Sequence, residues 1–290
     1  MQIVFRLFLA VFIASWSSIL VRWIGDLHPL IIAFYRLFLS ALLLLIYTNK
    51  RLIPTLILAK QYVWYIVFAG LFLAVHFYTW ITSLQLTTVG NSIFLESTHP
   101  VFALILSFIF LKEKISVKII PAFLLSLLGM YLTVSIDLGV DAEALLGDFL
   151  AILAAIAIAA YLLFARTLRT RFPLIPYLIY VYFTASAIIF IVILIQNINF
   201  ISISASQWFF LFLLAIGPNL IGHSLLNWSA QRIPVYKVNM ALLGESILAT
   251  VFAALLLDEY PHLQFYFGAG LILCGIIMVF WIEQRLTKQE

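Results

Sequence analysis

The chain has 290 residues, 65 % of them apolar and 10 % charged, with a formal net charge of +4. An ordinary soluble domain carries roughly 45–50 % apolar and about 25 % charged residues, so a soluble globular fold is excluded. The basic balance is no nucleic-acid signal, because its residues lie in short loops between apolar runs.

Crossing a bilayer takes about 20 mostly apolar residues in a helix. Ten such runs succeed one another, centred near Phe12, Phe38, Leu73, Ser97, Leu127, Ala157, Thr184, Leu214, Thr250 and Leu273. The first opens like a secretion signal, with Arg6 ahead of an apolar stretch. It continues through Ile24 without a clear small-x-small cleavage site, so it is read as the first span. Most connections hold fewer than ten residues, and no attached soluble domain is expected. The fold class expected is therefore all-α, a polytopic membrane protein of ten transmembrane helices.

Threading ten spans from a cytoplasmic N-terminus puts fourteen of the sixteen Lys and Arg residues on the cytoplasmic side, among them Arg6, Lys50, Arg51, Lys112, Lys114, Arg166, Arg169 and Arg232. Asp137, Asp141, Glu143, Asp258 and Glu259 fall on the other side. Lys and Arg in short loops mark the cytoplasmic face, so both termini are expected there.

The sequence repeats itself. An offset of 146 carries Gln85-Leu86-Thr87 onto Gln231-Arg232-Ile233, His99-Pro100 onto Glu245-Ser246, Leu111-Lys112-Glu113 onto Leu257-Asp258-Glu259, and Gly129 onto Gly275. An offset of 144 carries Pro29-Leu30-Ile31 onto Pro173-Leu174-Ile175 and Ser40-Ala41 onto Thr184-Ala185. Five spans per half is an odd number, so the halves, residues 1–139 and 140–290, must be inverted in the membrane. The acidic stretch from Ile136 to Gly147 is the expected seam.

Polar groups inside spans mark the site, because they are costly in lipid and face the protein interior or a water path. Arg36, His76 and Glu96 each lie eight residues from the outer end of their spans, a common depth of roughly 12 Å at about 1.5 Å per residue. His99 sits one turn deeper. Glu96 and His99, three apart, and His76 and Trp80, four apart, are expected to share helix faces. Asn219, His223 and Asn227 form a stripe on the eighth run, and Tyr177, Tyr180 and Thr184 one on the seventh, each more readily cavity-lining than lipid-facing. The substrate-binding candidates are His76, Tyr78, Trp80, Glu96, His99, His223, Asn227 and Glu245. Arg36 and Glu96 are expected to form a charge pair. Glu245 is the proton-coupling candidate, because the repeat places Tyr180 where Arg36 stood.

Other chemistries find little support. Cys274 is the only cysteine, which removes disulfides and cysteine metal sites. No phosphate-binding glycine loop is present. Glu96-x-x-His99 has the spacing of a carboxylate-bridged metal motif, but its repeat mate is Glu245-Ser246-Ile247-Leu248, without histidine. No enzyme activity, metal or cofactor is expected.

Leu84-Gln85-Leu86-Thr87-Thr88-Val89, Pro100-Val101-Phe102, Phe110-Leu111-Lys112-Glu113 and the second copy ending Leu257-Asp258-Glu259 resemble the EamA type of the drug/metabolite transporter superfamily over nearly the whole chain. The resemblance implies inverted five-helix repeats around a central cavity lined mainly by spans one, three, four, six, eight and nine. It also implies export of amino acids or similar metabolites across a bacterial inner membrane. Arg36 and Glu245 match residues common in the family, which favours structural roles. His99 stands where a small polar residue is usual, and Ser246 where a proline often is. The expected partners are a small-molecule substrate and the bilayer, with no nucleic acid and a functional monomer. Two alternatives stay open: a proton-coupled exporter of lipophilic cations, and a lipid scramblase or non-transporting scaffold.

Overall fold

A computed structural model describes residues 2–48, 55–113, 116–133, 142–200 and 203–287. Among the described residues the regular structure is entirely helical, and nine helical segments are long and apolar enough to cross a membrane. The first span joins α1 (Gln2–Ala14) to α2 (Trp16–Ile24) through Ser15, whose hydroxyl donates to the Val11 carbonyl at 2.7 Å. After it come α3 (Pro29–Thr48), a short α4 (Leu56–Gln61) and α5 (Val63–Leu86). The fourth span is two helices, α6 (Val89–Glu96) and α7 (His99–Leu111).

The fifth run departs from expectation. A turn of 3-10 helix at Val117–Ile119, capped by Ser116, leads into α8 (Ile120–Thr133), and the apolar stretch is shorter than the other nine. The seam also differs, because α9 (Ala142–Thr167) already contains Glu143 and Gly147. Glu143 in its first turn suits the positive end of the helix dipole. Residues 134–141 lie outside the described ones, and with them the expected boundary between halves. Lys50, Arg51, Lys114, Asp137 and Asp141, which carry part of the charge asymmetry, do so too.

The second half continues with α10 (Leu174–Ile195) and α11 (Ala205–Leu214), which runs through a π-helical segment at Ala215–His223 into α12 (Ser224–Ala230). It ends with α13 (Val235–Leu256) and α14 (Leu263–Thr287). Pro218 has no N–H to donate within its helix, which explains the local change of winding.

The offsets that relate the two halves of the sequence also relate their contacts. A Cβ built on Gly129 of α8 would lie 2.6 Å from the Gly268 carbonyl and 2.8 Å from the Ile272 nitrogen of α14. One built on Gly275 of α14 would meet Ser126 and, at 2.7 Å, the Ala122 carbonyl of α8. These are repeat mates in mirror-image order: the later glycine of α8 meets the earlier part of α14, and the reverse. The two helices therefore run antiparallel, as inversion requires. A second mated pair joins other spans. Ser40 of α3 donates to the Ala215 carbonyl at 2.8 Å, and its mate Thr184 of α10 packs against Gly70 of α5.

Candidate functional site

The break in the fourth span places the site. Pro100 cannot donate an amide proton to the Glu96 carbonyl, so the helix ends at Glu96 and restarts at His99 with the proline in its first turn. The repeat mate of Pro100 is Ser246, which keeps its N–H, and α13 runs unbroken through it. Only one of two symmetry-related helices is therefore discontinuous at mid-depth, and Glu96 projects from that discontinuity.

Glu96 and Glu245 face one cavity with His76, Trp80 and His223. The sequence did not single out its remaining walls, which are Ala14, Ser17, Phe77, Ile158, Leu226 and Leu242. The lining comes from spans one, three, four, six, eight and nine. The polar run Ser15-Trp16-Ser17-Ser18 inside an apolar first span was the available signal for Ser17. The water-sized free volume is about 20 Å³. That holds one or two waters, at roughly 10–15 Å³ each.

The Arg36–Glu96 pair is not formed. Arg36 is fully buried, its guanidinium 3.7 Å over the Phe77 ring, with Nη2 donating to Ser17 Oγ at 3.3 Å. Its electrostatic carboxylate neighbour is Glu245, and Glu96 instead lies within electrostatic reach of Glu245. This also removes the premise that Glu245 lacks a cation. Arg36 is held instead against Phe77 and Ser17, two of the residues that wall the cavity with Glu96. Glu96 has no hydrogen-bond donor and no cation within 4.0 Å among the described residues.

His76 and Trp80 share a face and stack with centroids 6.3 Å apart and planes 9° from parallel. His76 Nδ1 meets the Ala154 carbonyl at 3.0 Å. A carbonyl can only accept, so Nδ1 carries the proton and Nε2 presents a lone pair. His223 lines the cavity across from it, 6.3 Å between rings.

Other candidates are not on the cavity wall. His99 is 2 % exposed and packs beside Asn239, off the cavity lining. Tyr78 is half-buried on another face of α5. Asn227 is committed to Tyr161 Oη at 2.6 Å and the His223 carbonyl at 2.6 Å, and Asn219 donates to the Arg36 carbonyl at 3.4 Å. The π turn re-aims that stripe, so only His223 reaches the cavity. The stripe on α10 is packing: Tyr177 is buried, Tyr180 meets Thr55 at 3.2 Å, and Thr184 fits against Gly70.

A mid-depth chamber walled by both halves of an inverted helical bundle, beside a broken helix, defines the class of membrane transporters. The chain belongs to the EamA-like transporter family, whose profile matches residues 1–135 and 145–281. It is 27 % identical over 218 residues to an uncharacterized transporter of Synechocystis sp., covering 72 % of this chain and 62 % of that protein, so it spans less than two thirds of that relative. It is 24 % identical over 276 residues to the uncharacterized transporter YoaV of Bacillus subtilis, covering 91 % of each. A protein of known crystal structure shares the fold at a TM-score of 0.80 and 17 % identity, over 98 % of both chains.

Proposed function

We propose that this chain is a secondary transporter that exports amino acids or related small metabolites by alternating access. The observation that carries the reading is the unpaired Glu96 on the cavity wall. Two carboxylates and the lone pair of His76 Nε2 make the polar wall rich in acceptors. Such a wall suits a donor, and a protonated amine brings three N–H groups and a positive charge. Trp80 offers an apolar face for the side chain. A chamber with room for one or two waters must widen to admit a metabolite, which supports alternation over an open pore. We further propose a bacterial inner-membrane location with both termini cytoplasmic, a functional monomer, and halves at 1–139 and 140–290.

A second reading is favoured by the same freedom of Glu96 from Arg36: proton-coupled export of lipophilic cations, with Glu96 and Glu245 exchanging a proton for the cation. Reconstitution into liposomes with radiolabelled amino acids, their deaminated acids and lipophilic cations separates the possibilities. Saturable flux of amino acids but not of the deaminated acids is expected. Flux of cations alone would favour the second reading, and lipid scrambling without solute flux would overturn both.

A further inference from the structure

Two arginine–glutamate ion pairs among the described residues are repeat mates. Arg166 Nε donates to Glu113 Oε1 at 2.9 Å, and Arg22 Nη2 lies 4.0 Å from Glu259 Oε1. Offset 144 carries Arg22 onto Arg166, and offset 146 carries Glu113 onto Glu259. Each arginine also points at a carbonyl of the matching repeat segment, two residues out of exact register: Arg22 Nη2 to Thr87 at 2.8 Å, and Arg166 Nη1 to Gln231 at 3.5 Å.

The glutamates are placed by one device used twice. Lys112 and Asp258 both take positive φ, 50° and 58°, just past the ends of α7 and α13. The next amide then reaches back six residues, Glu113 to the Ser107 carbonyl and Glu259 to the Ala253 carbonyl, both at 3.3 Å. This is the left-handed helix cap, here formed without glycine. It turns the chain so that each glutamate crosses to the other half: Glu113 of the first half to Arg166 of the second, and Glu259 of the second to Arg22 of the first.

We propose that these pairs are the two gate latches of the transport cycle, one at each end of the cavity, made and broken in alternation. This rests on the transporter reading and deepens it. The Glu113 tie gathers spans four, six and eight, and the Glu259 tie spans one, three and nine. Those six spans also wall the cavity. The two latches differ in grip. At the Glu113 end the side chains are 10 % and 14 % exposed and in direct contact, whereas at the Glu259 end they are 30 % and 37 % exposed and at the limit of pairing. The conformer thus holds the Glu113 end shut, with the Glu259 end the readier to open. Pseudo-symmetry supplies the opposite conformer, in which the grips are exchanged.

The test uses full-length protein in vesicles of defined orientation, with Ala14→Cys as a cavity probe in a Cys274→Ala background. An impermeant thiol reagent is applied from either side while flux is measured in the same vesicles. Glu113→Gln is expected to raise labelling roughly tenfold from the Glu113 side alone, the scale of one charge-assisted hydrogen bond of ordinary strength. Glu259→Gln should raise it from the opposite side and by less. The exchanged pair Glu113→Arg with Arg166→Glu should return labelling toward the parent, which a packing role would not require and which holds even if one single variant folds poorly. Intact flux with labelling unchanged, or raised equally from both sides, overturns the latches. Absence of flux in the wild-type protein, measured alongside, overturns the transporter reading, and the latches with it.

Discussion

Gly129 and Gly275 let α8 and α14 touch backbone to backbone, and an added methyl group measures how far that closeness matters. In Gly129→Ala the new Cβ would sit 2.6 Å from the Gly268 carbonyl and 2.8 Å from the Ile272 nitrogen, so the helices must part by about 0.8 Å to restore an ordinary 3.4 Å contact. Gly275→Ala meets the Ala122 carbonyl at 2.7 Å and the Ser126 hydroxyl, a nearly equal demand on the other side of the pseudo-axis. Backbone atoms cannot rotate away, so each substitution is expected to cost about 1–3 kcal/mol, the range for overpacking a tight contact. Gly270→Ala is the control: nothing lies within 4 Å of its new methyl group. It should be neutral, or stabilise by up to about 1 kcal/mol through helix propensity. The double variant Gly275→Ala with Ser126→Ala should recover only part of the loss, because the Ala122 carbonyl remains. Unfolding in mixed micelles by added denaturing detergent reads all four. Equal damage at Gly270 and Gly129, or a harmless Gly129→Ala beside a damaging Gly275→Ala, would refute the paired contact.

The same geometry fixes three further outcomes. His28 heads α3 and accepts the Leu30 amide on Nδ1 at 3.2 Å, and burial holds its pKa below the ordinary 6.5. The unfolded chain therefore takes the proton first, so the contribution is present above about pH 6.5 and fades as pH falls through the lower folded value. His28→Asn, which caps without titrating, should remove that part of the acid sensitivity in melting curves between pH 5 and 8; an unchanged pH profile would deny His28 the role. Pro100→Ala restores an amide that can close α6 onto α7, so thermal stability should hold or rise while transport falls; unimpaired transport would deny the broken helix a role. Glu96→Gln should erase the preference for amine-bearing over deaminated substrates in competition assays, with surface expression unchanged; a retained preference would move amine recognition elsewhere.

Much of this fold could be read from residues alone, because hydropathy and repetition are properties of the chain in order. The apolar runs, the inversion and five of the cavity residues came from them. What escaped was azimuth. Helical rise fixes the height of Arg36, Glu96 and Glu245, but neighbouring helices fix the direction in which each points. Arg36 was thus paired with the wrong carboxylate, and His99 was brought to the wall. Local winding was the second gap. The Pro100 break and the π turn at Pro218 each rotate the helix beyond them, moving His99 and Asn227 off faces that a regular helix would have given them. Ser246 was the legible half of that asymmetry, since an amide at that position predicts an unbroken α13. The latches lay in view as repeat-matched glutamates, and only the crossing between halves gave them partners.

Alternating access at one cavity is tested most directly by two distances measured on the same protein. Spin labels at Lys112→Cys and Arg169→Cys straddle the Glu113 end, and labels at Trp23→Cys and Tyr260→Cys straddle the Glu259 end; all four native side chains are exposed. With a transported substrate on and off, the two distances should change in opposite senses, one end widening as the other closes. Both ends widening together, or neither moving while flux continues, would contradict the account.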